Sequence, residues 1–260
     1  MLREYAGAAE QGARVRDVRE QGVRFAGRGD VLDTVTGGLT TQDLVAAERR
    51  LIAAAIGRGG EGAAVVDRAV LERAAAAVDR PLSDEQAEAL RGVTTSGNGV
   101  DVVEALAGTG KTFTAGALRH VYEDAGYRVI GIAPTGRAVR ELAEEAGVAA
   151  WTLDRALLDL RDGHALPERT VVLLDEAGMA STRATEQLLA AVQLAGAKVI
   201  AIGDSGQLPS VQAGGWIREV GQRVGVHRLT HVTRQRDVDE RRACRCASST
   251  PSSRRARSSA

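Results

Sequence analysis

Aromatic residues make up only 3% of this 260-residue chain, so any core must come mostly from the Ala, Val, Leu and Ile within its 44% hydrophobic share. Two cysteines, Cys244 and Cys246, form a lone C-x-C, too little for a disulfide framework or a metal site. No apolar run approaches the ~18–20 residues of a membrane span. The polar start "MLREYAGAAEQGARVRD" does not read as a secretory leader, so the expected location is the cytoplasm. Lysine is almost missing: Lys111 and Lys198 stand against 32 arginines, a bias that looks like G/C-rich coding sequence. Net charge is zero, which argues neither for nor against a nucleic-acid partner. The zero hides an asymmetry, because residues 241–260 hold six Arg and no acid, leaving 28 basic against 34 acidic groups in residues 1–240.

What is present divides the chain into four stretches. Residues 1–38 are charged and weakly periodic, and stay unassigned. Residues 39–94 read as a small helical region. In it, "TQDLVAAERRLIAAAI" places Leu44, Val45, Leu51, Ile52 and Ile56 on one stripe, and Ser83 is the natural cap of "SDEQAEALRGV". Residues 95–237 alternate apolar runs ("DVVEAL", "RVIGIA", "TVVLLD", "KVIAIGD") with helical stretches, and so predict an α/β fold with a parallel sheet. The junctions "EDAGYRVI", "EEAGVAA" and "QLAGAKVI" each carry a Gly where a left-handed helix cap would turn the chain back. Residues 238–260 end in six Arg and six Ser with no Leu, Ile or Val among the last twenty residues, so a disordered basic tail is expected. Two readings of it stay open: a tail that touches phosphates, or G/C-rich sequence read in a shifted frame.

"AGTGKT", Ala107 to Thr112, follows a strand-like run and opens a helix-like one. In that context Gly108 and Gly110 let backbone N–H groups close around a phosphate, helped by the helix N-terminus. Lys111 would reach the β- and γ-phosphates, and Thr112 would ligate Mg²⁺. The pattern G-x-x-x-x-G-K-[ST] has Ala105 in place of its first Gly. Downstream, "VVLLDEAGM" ends a buried strand in two adjacent acids. Asp175 would hold Mg²⁺, and Glu176 would orient or deprotonate an attacking water; an exposed strand-end acid pair is the alternative. In "AIGDSGQLPSV", Gln207 is placed to sense a γ-phosphate. In "IAPTGRAV", Thr135, Gly136 and Arg137 suit a polyanion backbone. A simple turn is the alternative for both.

Taken in order, "AGTGKT", "APTGRA", "LLDEAGM", "GDSGQLPSV" and "LTHVTRQRD" resemble motifs I, Ia, II, III and IV of superfamily 1 DNA helicases. "LLDEAGM" and "GDSGQLPSV" look like the RecD-like branch. "LTTQDLVAAERRL", "LSDEQAEAL" and "AGYRVIGIAPTGRAVREL" look like the helicase portion of TraA/MobF-type conjugative relaxases. The resemblance covers roughly Leu39 to Asp237. It implies a RecA-like P-loop NTPase that binds ATP and Mg²⁺ and acts on single-stranded DNA, in company with other conjugation proteins. Gly108 to Thr112 would hold the phosphates, Asp175 and Glu176 would be the metal-binding and catalytic acids, and Gln207 the sensor. Arg234 would approach the γ-phosphate, and Pro134, Thr135, Arg137 and Thr152 would lie along DNA. Gln86 would match an adenine-recognising glutamine, although Ser83-x-x-Gln86 also reads as a helix capping box. Asp154 replaces a His common in related helicases, and Trp151 is either a base-stacking residue or core. The family's motor uses two RecA-like domains, so the expectation is a first motor domain, truncated and unable to unwind DNA alone. A single-stranded-DNA-binding module without turnover is the competing class; a small-molecule kinase fits "GDSGQLPSV" badly.

Overall fold

Strands buried on both faces read as near-continuous apolar runs, and four such runs form the centre of this molecule. A computed structural model describes residues 15–34, 38–204 and 216–231, the side chains of residues 15–19 apart. Helix α1 (Val15–Ala26) precedes an antiparallel ribbon of β1 (Val31–Asp33) and β2 (Leu39–Thr41), in which Val31 pairs with Thr41. Helices α2 (Gln42–Gly57), α3 (Arg68–Ala76) and α4 (Asp84–Thr95) lead to β3 (Val100–Ala105). Then come α5 (Lys111–Asp124), β4 (Arg128–Ala133), α6 (Gly136–Glu144), β5 (Ala150–Thr152) and α7 (Leu153–Arg161). After β6 (Thr170–Leu174) follow a 3₁₀ turn (Ala177–Met179), α8 (Thr182–Leu194) and β7 (Lys198–Gly203), and then α9 (Trp216–Val224) and β8 (Val226–Leu229).

The six strands from β3 onward form one parallel sheet in the order β5-β4-β6-β7-β3-β8. Alternate residues along each strand enter opposite halves of the core, as the two-residue period of a strand requires. Val103, Leu173, Ile200 and Ile202 pack with Leu71, Leu90, Leu118, Val121 and Leu142 from α3 to α6. Val102, Val172, Leu174 and Val199 pack with Leu51, Leu157, Leu188, Leu189 and Trp216 from α2 and α7 to α9. The helices of residues 39–94 therefore contribute to both layers: α2 lies against α8 and α9, and α3 against α5.

One expectation is revised by this packing. The buried line of α2 is Ala47–Leu51–Ala55, while Ile56 is 44% exposed. Ala47 and Ala55 flank Leu51 on the face that α2 buries, and the helix lies against α8 and α9. The 39–94 stretch also opens on a strand, β2. The short sheet strands β5 and β8 carry no continuous apolar run ("AWT", "VHRL") and escape a periodicity reading. The three junction glycines do turn left-handed, with φ of 80° at Gly126, 66° at Gly147 and 60° at Gly196. The disordered-tail expectation lies outside the described residues. No helix among the described residues is long and apolar enough to cross a membrane.

Candidate functional site

The chain changes direction within the sheet at β3: it crosses to β4, returns through β6 and β7, and then places β8 on the other flank of β3. Crevices at the carboxyl ends of strands beside such a reversal are where open α/β sheets bind ligands. The "AGTGKT" loop leaves β3 at that point. Gly108 and Gly110 adopt φ of 83° and 82°, which a side chain would strain. Thr109 pins the loop by donating its hydroxyl to the Leu106 carbonyl at 2.8 Å. Gly110 heads α5 with no side chain capping the helix, so its first N–H groups stay available to an anion. Ala105, where the pattern has its first Gly, is buried at the end of β3 with its methyl group in the core.

The acidic segment arrives from β6. The Asp175 amide continues the sheet by donating to Ile132 O at 2.9 Å. Its carboxylate is nearly buried and takes Lys111 Nζ at 3.0 Å on Oδ1. The phosphate loop and the acids therefore converge on one side of the sheet. Glu176 is one of three non-glycine residues with positive φ among those described, at φ 48°, ψ 37°. Strain of this kind costs about 1–3 kcal/mol and persists where the surroundings over-determine the backbone. Here the Glu176 N–H donates to Asp175 Oδ1 at 2.8 Å, and Glu176 Oε2 accepts from Thr135 Oγ1 at 3.0 Å. Gly203, at the end of β7, lies close beneath this turn. An added Cβ there would sit 3.3 Å from Gly178 N and 3.0 Å from Ile217 Cδ1.

Gln86 is 3% exposed and completes a capping box with Ser83: its Oε1 accepts from Ser83 N at 3.0 Å. Its Nε2 also donates to Thr109 O at 3.3 Å, so the same amide braces the phosphate loop from below. Both ends of the Gln86 amide are thus engaged within the protein.

The nucleic-acid candidates gather at the neighbouring strand ends. Ala133 pairs in register with Thr152, which brings the β4 exit (Pro134, Thr135) beside the β5 exit. Thr135 caps α6 by accepting from Ala138 N at 3.2 Å, and Thr152 caps α7 by accepting from Arg155 N at 3.2 Å. Arg137 is exposed and its guanidinium is held by Glu141 at 2.8 Å. Trp151 is 38% exposed, so it is not a core residue. Asp154 sits in the first turn of α7. Gln207 and Arg234 lie outside the described residues.

The sequence reading missed Glu85. Its Oε2 accepts the N–H groups of Thr230 at 2.7 Å and His231 at 2.9 Å, and its Oε1 accepts the Thr230 hydroxyl, so it clamps the exit of β8. That hydroxyl first, and then the His231 amide, hold the Glu85 carboxyl below the usual carboxylate range. The stability gained is complete above the unfolded value near 4.5 and is lost as pH falls through the lower folded value. We expect Glu85→Gln to cost about 1 kcal/mol at neutral pH, reduced from a buried charged bond because the site is partly solvated. Urea unfolding of both proteins at neutral pH and in acid checks this: the gap should close in acid.

A parallel sheet sandwiched by helices, with a Gly-Lys-Thr loop and an Asp-Glu pair meeting at its reversal point, is a RecA-like P-loop NTPase. The chain belongs to the AAA domain family, whose model matches residues 81–254. It is 37% identical over 199 residues to a probable conjugal transfer protein TraA of Sinorhizobium fredii, covering 76% of this chain and 18% of that protein. It is 36% identical over 159 residues to the ATP-dependent RecD2 DNA helicase of Deinococcus radiodurans, covering 59% of this chain and 22% of that one. The chain thus spans about a fifth of the length of these relatives, and the matches agree with the RecD-like and TraA-type resemblance of its motifs. Among solved structures, the Hef helicase domain of Pyrococcus furiosus is similar over 49% of this chain and 34% of its own, with a TM-score of 0.35 and 17% identity.

Proposed function

We propose that this chain is an ATP-binding, single-stranded-DNA-dependent ATPase, the motor of a conjugative relaxase-helicase working in the cytoplasm with other conjugation proteins. The observation that carries the reading is the 3.0 Å pair between Lys111 Nζ and Asp175 Oδ1, which brings the phosphate loop and the acids to one point. The oxygen donors there suit Mg²⁺, a hard ion that prefers one or two protein oxygens and keeps several waters. Thr112 and Asp175 would hold it, and when bound it would offset charge developing on the phosphates.

The chain's own residues divide the remaining work. Backbone N–H groups of Gly108, Thr109, Gly110, Lys111 and Thr112 orient the triphosphate, and Gln86 would meet the adenine. Lys111 moves its ammonium from Asp175 to the β- and γ-phosphates. Glu176 aligns a water and takes its proton. Gln207 and Arg234 would sense and stabilise the γ-phosphate. Pro134, Thr135, Arg137 and Thr152 carry single-stranded DNA along its backbone, so affinity should fall with salt and depend little on sequence.

Calorimetry with Mg-ATP, followed by phosphate release with and without oligodeoxythymidine, tests this. Binding heat and DNA-stimulated release support the motor. Binding without release favours the single-strand-binding module. No binding heat rejects both.

A further inference from the structure

The β5 end of the sheet carries a hollow to which neither the phosphate site nor the DNA candidates lay claim. β5 has three residues and β4 has six, so β5 covers Gly131 to Ala133 and stops short of Arg128 to Ile130. Helix α7 leaves β5 and packs against β4 and α8, and a cavity of about 190 Å³ remains between helix and sheet. Its walls are Ile130, Ile132, Trp151, Ala156, Leu160 and Leu188. Trp151 pairs in register with Ile132, so its ring enters the same layer, yet it stays 38% exposed while Trp216 is fully buried. The polar lining leans to the basic side. Arg128 is exposed, and its guanidinium meets no acid among the described residues. The one acid there, Asp159, is already taken by Arg155 at 2.8 Å. Two magnitudes choose the occupant. Pockets for cofactors and metabolites run to about 300–1,000 Å³, so this one is too small for them. An apolar cavity of about 150 Å³ already holds a benzene ring, so this one takes a single aromatic or leucyl side chain. A nucleobase fits badly, because its polar edge would lie unpaired against isoleucine and leucine.

We propose that this hollow is the anchor pocket of a protein-docking surface, and that its partner is a segment carrying a phenylalanine or leucine with acidic residues beside it. The apolar side chain replaces water against Ile130, Trp151 and Leu160, and the carboxylates meet Arg128. A few side chains seated in desolvated pockets carry most of the affinity of an interface. β5 is the last strand of the sheet on this side, so an extended segment also finds a strand edge to run along. None of this depends on ATP hydrolysis by the chain.

The probe is an end-blocked peptide, Glu-Glu-Phe-Glu-Glu, which contains no tryptophan. Trp216 is sealed in the core, so a change in tryptophan emission on titration reports Trp151. We expect a saturable change that disappears in Trp151→Phe. A peptide with alanine for the phenylalanine, and one with lysines for the glutamates, should each bind at least about 10-fold more weakly. Arg128→Glu should reverse the preference between glutamates and lysines. Ala156→Leu fills the hollow and should abolish binding. Thermal melting shows which variants are folded; Arg128→Glu changes an exposed side chain, so it decides the charge argument even if Ala156→Leu does not fold. The proposal is overturned by no saturable change up to about 1 mM peptide, or by affinity indifferent to the phenylalanine. An unaltered charge preference in Arg128→Glu, or binding that survives in folded Ala156→Leu, overturns it as well. Competition by oligodeoxythymidine does the same, since it assigns the hollow to DNA.

Discussion

Lys111→Ala should lower ATP turnover by a factor on the order of 10²–10³, the usual cost of removing a preorganised charge from developing transition-state charge. The lysine heads α5, where N–H groups without a side-chain cap favour an anion, and on the proposed function its ammonium would follow the phosphates. Its resting partner shows how far it reaches: Asp175, at the end of a different strand. Lys111→Arg should fail to restore turnover, because a planar guanidinium cannot replace a compact ammonium inside a closed loop of amides. Oligodeoxythymidine affinity should be unchanged, since the DNA candidates sit at the β4 exit, the start of α6 and the β5 exit rather than on the loop. Steady-state hydrolysis and fluorescence anisotropy on the same preparations check both statements, and wild-type turnover by Lys111→Ala would remove the loop from the mechanism.

The second large effect is on stability. Lys198 of β7 and Asp101 of β3 are 0% and 2% exposed and pair at 2.5 Å between these neighbouring strands. Lys198 Nζ also donates to Asn98 O at 2.7 Å and Ser96 Oγ at 3.1 Å, while Asn98 Nδ2 and Ser96 Oγ donate to the Asp101 carboxylate. Arg58, also buried, donates to Ala197 O beside this pair and to Glu61. Removing one partner strands a charge with no water to solvate it, so Lys198→Ala should cost about 3–5 kcal/mol. At about 2–4 °C per kcal/mol for a domain of this size, the melting temperature should fall by roughly 6–20 °C. Replacing both, Lys198→Met with Asp101→Leu, should recover most of the loss, because the desolvation cost disappears with the charges.

The sign of the pH dependence follows from Asp101. Burial pushes its carboxyl upward, but His227 3.9 Å away, Lys198 and Ser96 outweigh that and hold it below the usual carboxylate range. The stability it contributes is therefore complete above the unfolded value near 3.8 and is lost as pH falls through the lower folded value. Wild type and the double replacement should differ least at neutral pH and most in acid, where only the wild type loses its pair. Calorimetric melting across that range checks the pattern.

How much of this was legible beforehand depended on distance along the chain. The four central strands are buried on both sides, so each carries a largely apolar run; β5 and β8 are short edge strands whose exposed positions interrupt such a run. The capping box joins residues three apart and could be read directly. The clamp of Glu85 on Thr230 spans 145 positions, and the bond from Thr135 to Glu176 spans 41, so no local pattern announces either. The phosphate loop was readable because its glycines, lysine and threonine are contiguous. Its support by Gln86 was not, because that requires knowing that α4 packs under the loop. The composition did hold one unused clue: in a chain where arginine replaces lysine almost everywhere, both surviving lysines are paired with aspartates.

That pairing has a practical side for anyone handling the protein. Lys198 is sealed away, whereas Lys111 retains 23% of its surface. Apart from the α-amino group, an amine-selective label therefore has one side chain to find on the folded chain, and it sits in the cradle itself. Counting added mass with and without a protecting nucleotide would turn a scarcity of one amino acid into a single-position gauge of occupancy.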